Sequence, residues 1–436
     1  MGAKIIVGLG YGDEGKGIST YHFAKKDNAK WVIRYNGGSQ CGHNIINENG
    51  YHHNCSQFGA GVLNGCNTFL SKYVKVSLIP LLNEADGLKK FNSNIKELLK
   101  TVYIDSEAPM ITLYHIIINR IKNNINKHGS CGHGIGELGS DIENKKDIIT
   151  IGDVYNDNNI IERLENIRIS KLKHILYKYP EEIENIKNDP LYSKLLEEKT
   201  SRDLYEIYRL VIEHVNVIFD SNNFINEQIA PHNIVFEGAQ GVLLHEYHGF
   251  HPHTTWSDTS PKNAVQFLKD IDYKDPYEII GITRPYLTKH GNGPFKEIYY
   301  PREPKYYNEH NCFNKYQLHF KYGYLDTVLL NYSIKVCEEN GGFDSIFLTH
   351  CDGIDSAPSR YVITHWMIDK NSKIDKLKYK KPSTTAGIRR TNMYSRSEQR
   401  ISLGCSVRYI LNNYNVKYFS NGPAIGQQNT IDKLIL

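Results

Sequence analysis

No apolar run in the 436 residues approaches the roughly 18 that a membrane-spanning helix needs, which excludes a helical membrane protein. Cysteine is sparse and scattered, with eight residues at 41, 55, 66, 131, 312, 337, 351 and 405 and no CxxC pair. A disulfide scaffold and a structural zinc site on paired cysteines are therefore not expected, and reduced thiols in a cytoplasmic compartment are the economical reading. Neither sign of charge dominates: 52 Lys and Arg against 48 Asp and Glu leave a net +4, which demands no nucleic-acid partner. With 40% hydrophobic and 23% charged residues, disorder, collagen and coiled coil are excluded as well. Met1 to Leu9 carries one lysine and a short apolar run that ends in a Gly-rich turn, so it reads as a first strand and not a signal peptide.

What is present is a sequence of strands and helices. Lys4–Leu9, Trp31–Tyr35, Asn233–Glu237, Ile279–Thr283, Asp344–Thr349 and Val416–Ser420 are short apolar runs, each followed by a Gly-rich or polar segment. A helix is expected over Ile18–Lys26. From Val154 to about Phe219 apolar residues recur at three to five positions, interrupted by Pro180 and Pro190, which predicts several helices. The pattern predicts one large α/β domain over 1–436, with a mostly parallel central sheet, helices on both faces and a helical insertion at about 155–225. Ligands collect at the carboxyl ends of such strands.

The turn Gly10-Tyr11-Gly12-Asp13-Glu14-Gly15-Lys16-Gly17 follows the first strand. Small residues let backbone N–H groups approach phosphate oxygens, and Lys16 adds a mobile cation. Walker A spacing is absent. A carboxylate beside a phosphate cradle would be repelled unless it held Mg²⁺ or acted as a base. After the second strand comes Tyr35-Asn36-Gly37-Gly38-Ser39-Gln40-Cys41-Gly42-His43-Asn44, a histidine set in Gly-rich backbone. His248, His251 and His253 invite a metal reading.

These two motifs together resemble the adenylosuccinate synthetase family. Gly132-His133-Gly134-Ile135-Gly136 is similar to that family's Gly-Arg-Gly-Ile-Gly loop, and Phe236-Glu237-Gly238-Ala239-Gln240-Gly241-Val242-Leu243-Leu244 to its Glu-Gly-Ala-Gln-Gly-x-Leu-Leu segment. Gly291-Asn292-Gly293-Pro294-Phe295, Leu348-Thr349-His350-Cys351-Asp352 and Ser420-Asn421-Gly422-Pro423 continue the likeness in order. The resemblance implies a P-loop-NTPase-related fold and a GTP-dependent ligase that joins an amino acid, normally aspartate, to C6 of a 6-oxopurine nucleotide. In that chemistry a base takes the N1 proton, the 6-oxygen attacks the γ-phosphate, and the amine displaces phosphate.

By the same resemblance Asp13 is the base, and Asp13 with the Gly42 carbonyl holds Mg²⁺. His43 stabilises the transferred phosphoryl group. Gly12, Gly15, Lys16, Gly17, Gly42 and His43 hold GTP phosphates, while Asp352, Ser420 and Gly422 complete the GTP site. Asp13, Gln40, Ser130, Cys131, Gln240 and Thr255 face the purine monophosphate. A homodimer is implied, with Lys145 and Lys146 where a neighbouring subunit's cation would reach the monophosphate. His133 and His350 replace an Arg and a Lys. The family's Thr-Thr-Gly-Arg-x-Arg-Arg loop is missing: the segment before Gly323-Tyr324-Leu325-Asp326 offers only Lys315, His319 and Lys321 as amino-acid-binding cations. Arg389 and Arg390 are the next place to look. The chain is therefore expected to be a divergent paralogue. Alternatives are a ligase acting on GMP or dGMP, as in the phage branch that makes 2-aminoadenylosuccinate, one using another amine, or a catalytically idle purine-nucleotide-binding regulator.

Overall fold

A computed structural model describes residues 2–126, 130–156, 158–298, 317, 319–353, 357–380, 383–422 and 428–430. Ten strands form the central sheet: β1 (Ala3–Gly8), β2 (Trp31–Arg34), β3 (Asn67–Leu70), β4 (Val102–Asp105), β5 (Asn216–Ile218), β6 (Ile234–Glu237), β7 (Tyr277–Thr283), β8 (Ser345–Leu348), β9 (Val416–Ser420) and β10 (Gln428–Thr430). Their order across the sheet is β10-β9-β8-β7-β1-β6-β2-β3-β4-β5. Every neighbouring pair is parallel except β9 with β10 at one edge.

The central strands read as near-continuous apolar runs because both faces are covered. Along β1, Ile5 and Val7 enter the cluster that contains Leu268 and Val328, whereas Ile6 enters the cluster of Phe23 and Ala24. Phe23 and Ala24 belong to α1 (Lys16–Lys26), which therefore packs on one face. Helices Lys262–Asp270 and Thr327–Glu339 supply the apolar residues of the other. Each fully buried side chain of this size contributes about 1.5–3 kcal/mol.

Helix α1 begins at Lys16, two residues before the sequence expectation, so Lys16 and Gly17 form its first turn. In the 155–225 segment, Ile160–Lys178, Pro190–Leu196 and Lys199–Ile212 are helical, and Pro190 opens its helix beside Asp189, whose side chain accepts from Leu191 N. The helical reading fails at Asn216–Ile218, which is the outer parallel strand β5. Asn216 Nδ2 donates to the carbonyls of Lys100 (2.7 Å) and Val102 (3.3 Å), tying the segment to β4. A three-residue strand is too short to carry a period of its own. No helix among the described residues is long and apolar enough to cross a membrane.

Candidate active site

The loops after β9, β8, β7, β1, β6 and β2, six adjacent strands, surround one cleft of about 820 Å³. At its centre is the turn after β1. Gly12 (φ 96°) and Gly15 (φ 95°) take the left-handed backbone that glycine accepts without penalty, and Asp13 shares it at φ 60°. Glu14 folds back into the turn: Oε1 accepts from Gly10 N (2.9 Å) and Gly12 N (2.8 Å), and Oε2 lies 2.6 Å from Lys16 Nζ. Both side chains are buried, so Lys16 is pinned by Glu14 and is not the mobile cation that the sequence suggests.

Asp13 turns its carboxylate into the cleft, with Oδ2 3.7 Å from His290 Nε2. Arg284 Nε donates to the Asp13 carbonyl at 2.6 Å, fixing the backbone instead of neutralising the side chain. Burial raises the Asp13 pKa, and His290, Arg284 and Lys16 offset only part of that rise. A desolvated carboxylate of this kind suits a general base and also suits a divalent cation, which would restore its lost solvation. The Mg²⁺ that the family implies therefore fits the donors present, Asp13 and the carbonyl of exposed Gly42.

His43 opens the strand His43–Ile46, which pairs antiparallel with His52–Cys55. Gly17 permits the close approach of α1, since a Cβ there would lie 2.8 Å from that of His43. His43 Nδ1 is 2.6 Å from Glu237 Oε1, while Glu237 Oε2 accepts from Ala60 N (2.9 Å) and lies 3.9 Å from Arg34 Nε. Burial alone would raise the Glu237 pKa, but His43 and Arg34 outweigh it and hold the carboxyl below its usual range. An ionised Glu237 can only accept, so Nδ1 carries the proton and Nε2 is the nitrogen left for a ligand. Burial lowers the His43 pKa despite the pull of Glu237.

Gln40, Ser130, Cys131, Gln240, Thr255, Ser420 and Gly422 line the same cleft. Both amide atoms of Gln40, and Oε1 of Gln240, are buried without a protein partner. Buried polar groups left in this way call for a polar ligand. Ser130 Oγ donates to Asn119 Oδ1 at 3.1 Å, and burial pushes the Cys131 thiol up to about 11. His133 sits 3.2 Å from Ser39 Oγ; burial, then Arg120, lowers its pKa to about 4, so it does not supply the charge of the Arg it replaces.

The remaining sequence candidates lie elsewhere. Asp352, half-buried, is in the turn Cys351–Gly353 after β8, outside the cleft lining, although His350 reaches it. Lys315 falls outside the described residues. His319 and Lys321 do not line the cleft, but Lys321 pairs across two antiparallel strands with Lys289, which does. Lys289 is 3% exposed, with Nζ 4.5 Å from the Tyr11 ring centroid; burial, then Lys321, lowers its pKa to about 7. Arg390 is structural, donating to the carbonyls of Tyr247 (2.7 Å) and Gly249 (3.0 Å). His248 stacks on Tyr379 and His251 bonds to the Glu246 carbonyl, so only His253 of that trio reaches the cleft.

Sequence reasoning passed over Glu14, Glu237, Arg284, Lys289, His290 and Thr349, whose Oγ1 donates to the Glu14 carbonyl at 2.5 Å. Glu14, Glu237 and Thr349 stand inside the quoted motifs; only their partners reveal their roles. Arg284, Lys289 and His290 lie between β7 and Gly291-Asn292-Gly293-Pro294-Phe295, in a stretch similar to the family's strand ending in Gly-x-Gly-Pro-Phe, and their place at a strand end was the further signal.

The family model described as adenylosuccinate synthetase matches residues 5–394. The adenylosuccinate synthetase of Buchnera aphidicola subsp. Schizaphis graminum is 28% identical, over 85% of this chain and 81% of its own length. That of Mycoplasma mycoides is 30% identical, over 84% of this chain and 80% of its own. The fold is similar to that of fully ligated adenylosuccinate synthetase from Plasmodium falciparum, with a TM-score of 0.75, 19% identity and coverage of 98% and 99% of the two chains. It is also similar to cyanophage S-2L succinoaminodeoxyadenylate synthetase bound to dGMP and to dATP as an energy donor, with a TM-score of 0.56, 14% identity and coverage of 98% and 95%. A match over most of the chain, on a sheet whose loops bring the motif residues into one cleft, places this protein in the adenylosuccinate synthetase family of carbon–nitrogen ligases.

Proposed function

We propose that the protein joins aspartate to C6 of IMP, using GTP, by way of a 6-phosphoryl intermediate. The observation that carries the reading is the meeting of the desolvated Asp13 carboxylate and the His43–Glu237 pair in one cleft, beside a turn built to hold phosphate. Asp13 takes the N1 proton and makes the 6-oxygen nucleophilic. His43, backed by Glu237, donates through Nε2 to the transferred phosphoryl group, and the approaching anion favours its protonation. Lys16, held beside the turn by Glu14, and the amides of Gly15 and Gly17 hold the phosphates, while Gly12, whose N–H is taken by Glu14, keeps the turn on its left-handed path; Ser420 and Gly422 lie at the nucleoside end. Asp13 and the Gly42 carbonyl would hold Mg²⁺, which would neutralise phosphate charge. Gln40, Ser130, Cys131, Gln240 and Thr255 bind the monophosphate nucleotide. Asp352 accepts from N1–H and the 2-amino group of guanine, which favours GTP over ATP. A cytoplasmic location accords with the free cysteines among the described residues.

A matrix of IMP, dIMP, GMP and dGMP against a panel of amino acids, each with GTP and with ATP, tests this with phosphate release as readout. Fastest turnover with IMP, aspartate and GTP is expected. Fastest turnover with dGMP or GMP would move the protein to the ligase acting on those nucleotides, and fastest turnover with another amine, which the lost Arg groups of the amino-acid loop favour, to the ligase using that amine. No turnover in any cell would favour an idle regulator.

The amino-acid site is assigned to the hairpin end where Lys289 and Lys321 face each other, with His319 and Lys315 near it in sequence. Two like charges directly opposite are destabilising unless an anion joins them. Lys289→Met is expected to raise the amino-acid KM by about tenfold or more, since a charge-assisted bond is worth roughly 1.5–3 kcal/mol. The nucleotide KM values should stay within about twofold. Because the folded pKa is lowered, the lysine loses its proton above about 7, so the amino-acid KM should climb with pH from 7 to 9. A KM that is flat with pH and unmoved by the substitution would place the carboxylate elsewhere.

A homodimer is proposed, with Lys145 and Lys146 at the shared edge. Lys146 Nζ already lies 3.2 Å from Asp141 Oδ1, which leaves Lys145 as the better candidate for a neighbour's phosphate. Sedimentation at assay concentration should show a dimer; a fully active monomer would remove the shared site.

A further inference from the structure

We infer that His53, Cys55 and Glu84 form a binding site for a zinc-class divalent metal, separate from the nucleotide cleft. One donor atom from each, an imidazole nitrogen, the thiol sulfur and a carboxylate oxygen, lie within 4.8 Å of one another. The absence of a CxxC pair hides such a site from sequence spacing, because the trio is assembled from the strand His52–Cys55 and the helix Leu78–Gly87. His53 and Cys55 are two residues apart on that strand and share a face, whereas Asn54 and Ser56 line the cleft. The metal would sit behind the cleft wall.

Three features of the trio point to a ligand. His53 Nε2 is buried and has no hydrogen-bond partner. Cys55 is fully buried and free. Glu84 is held in place: Oε1 accepts from Ser56 N (2.7 Å) and Phe58 N (3.1 Å), and Oε2 from Gln57 N (2.7 Å). A carboxylate has about four lone-pair positions, so Oε2 keeps one for a metal. Bracing the 56–58 turn accounts for Glu84 alone and needs neither the imidazole nor the thiol.

The donor set selects the metal. Nitrogen, sulfur and oxygen together suit zinc, with a water in the fourth position, whereas magnesium and calcium take oxygen ligands. Thiolate and carboxylate would balance the charge of the ion in an interior where an unpaired charge is costly. Binding releases the thiol proton. Cys55 is also the residue directly opposite His43 in the strand pair, so the metal would stiffen the backbone that presents His43 to the cleft.

The test uses the full chain, stripped with a chelator and then titrated with Zn²⁺ against a chromophoric competitor. Wild type should take up one ion per chain, and Zn²⁺ should raise its Tm. His53→Gln and Cys55→Ser should each weaken that ion at least tenfold and abolish the Tm rise, while keeping the Tm of metal-free wild type. Co²⁺ should give wild type a thiolate charge-transfer band that Cys55→Ser lacks. If Cys55→Ser does not fold, His53→Gln and the Co²⁺ spectrum of wild type still decide. Wild type that binds Zn²⁺ no more tightly than His53→Gln, or Co²⁺ without a thiolate band, would overturn the proposal.

Discussion

Asp13→Asn is expected to lower kcat by about 10²- to 10⁴-fold, the range for loss of a general base, with loss of a metal ligand adding to it. Asparagine keeps the size of the side chain and tolerates the left-handed backbone at φ 60° better than alanine does. The variant should also be at least as stable as wild type at pH 7. The folded pKa of Asp13 is raised by burial, so the folded state binds the proton more tightly than the unfolded state does. Stability from this group is therefore present at low pH and is lost as pH rises through the folded value. Asparagine removes that penalty. Lower activity without lower stability is the signature of a site residue held in an unfavourable state for function. More than a tenth of wild-type turnover in a folded variant would refute the assignment.

The second large effect is expected at the His43–Glu237 pair. His43→Ala should reduce kcat by about 10²- to 10³-fold, as removal of one donor to a developing anion does. Glu237→Gln should approach the same loss, although it keeps the shape and does not itself touch substrate. The amide cannot stabilise a protonated imidazole as the carboxylate does, and Nδ1 is no longer held as the donor. Both variants should act mainly on kcat and change the KM of the monophosphate nucleotide far less, because Gln40 and Gln240, which share these two loops, keep their own side chains and Ser130, Cys131 and Thr255 come from other loops. A Glu237→Gln enzyme with normal kcat and a raised nucleotide KM would show that the pair serves binding and not transfer.

Much of the sheet was legible because its middle strands are buried on both faces and so stand out as apolar runs. The segments expected around β1, β2, β6, β7, β8 and β9 end within two residues of the observed strands. Strands β3, β4 and β10 have no counterpart among the expected runs, because Asn67-Thr68, Asp105 and Gln428-Asn429-Thr430 break the apolar pattern, and β5 lies inside the stretch whose spacing predicts helix. The Gly-rich turns were legible because glycine at fixed places after a strand has few other uses. Pairings across the fold were not. Glu237 on His43 and Lys321 opposite Lys289 join residues whose association depends on how the strands are arranged, and Glu14 on Lys16 depends on the path of the turn between them. Lys16 shows the consequence: its residue type promises a free cation, and its neighbour two positions earlier takes that freedom away.

The central claim, that the 6-oxygen of the purine leaves as part of the phosphate, is open to a direct isotopic measurement. IMP carrying ¹⁸O at position 6 is turned over with GTP and aspartate, and the inorganic phosphate released is examined by mass spectrometry. Attack of that oxygen on the γ-phosphorus, followed by displacement at C6, must deliver one ¹⁸O to each phosphate produced. The same label should stay in the nucleotide when Asp13→Asn is used, because the oxygen is not activated. Phosphate free of ¹⁸O, released by wild type at full rate, would contradict the account.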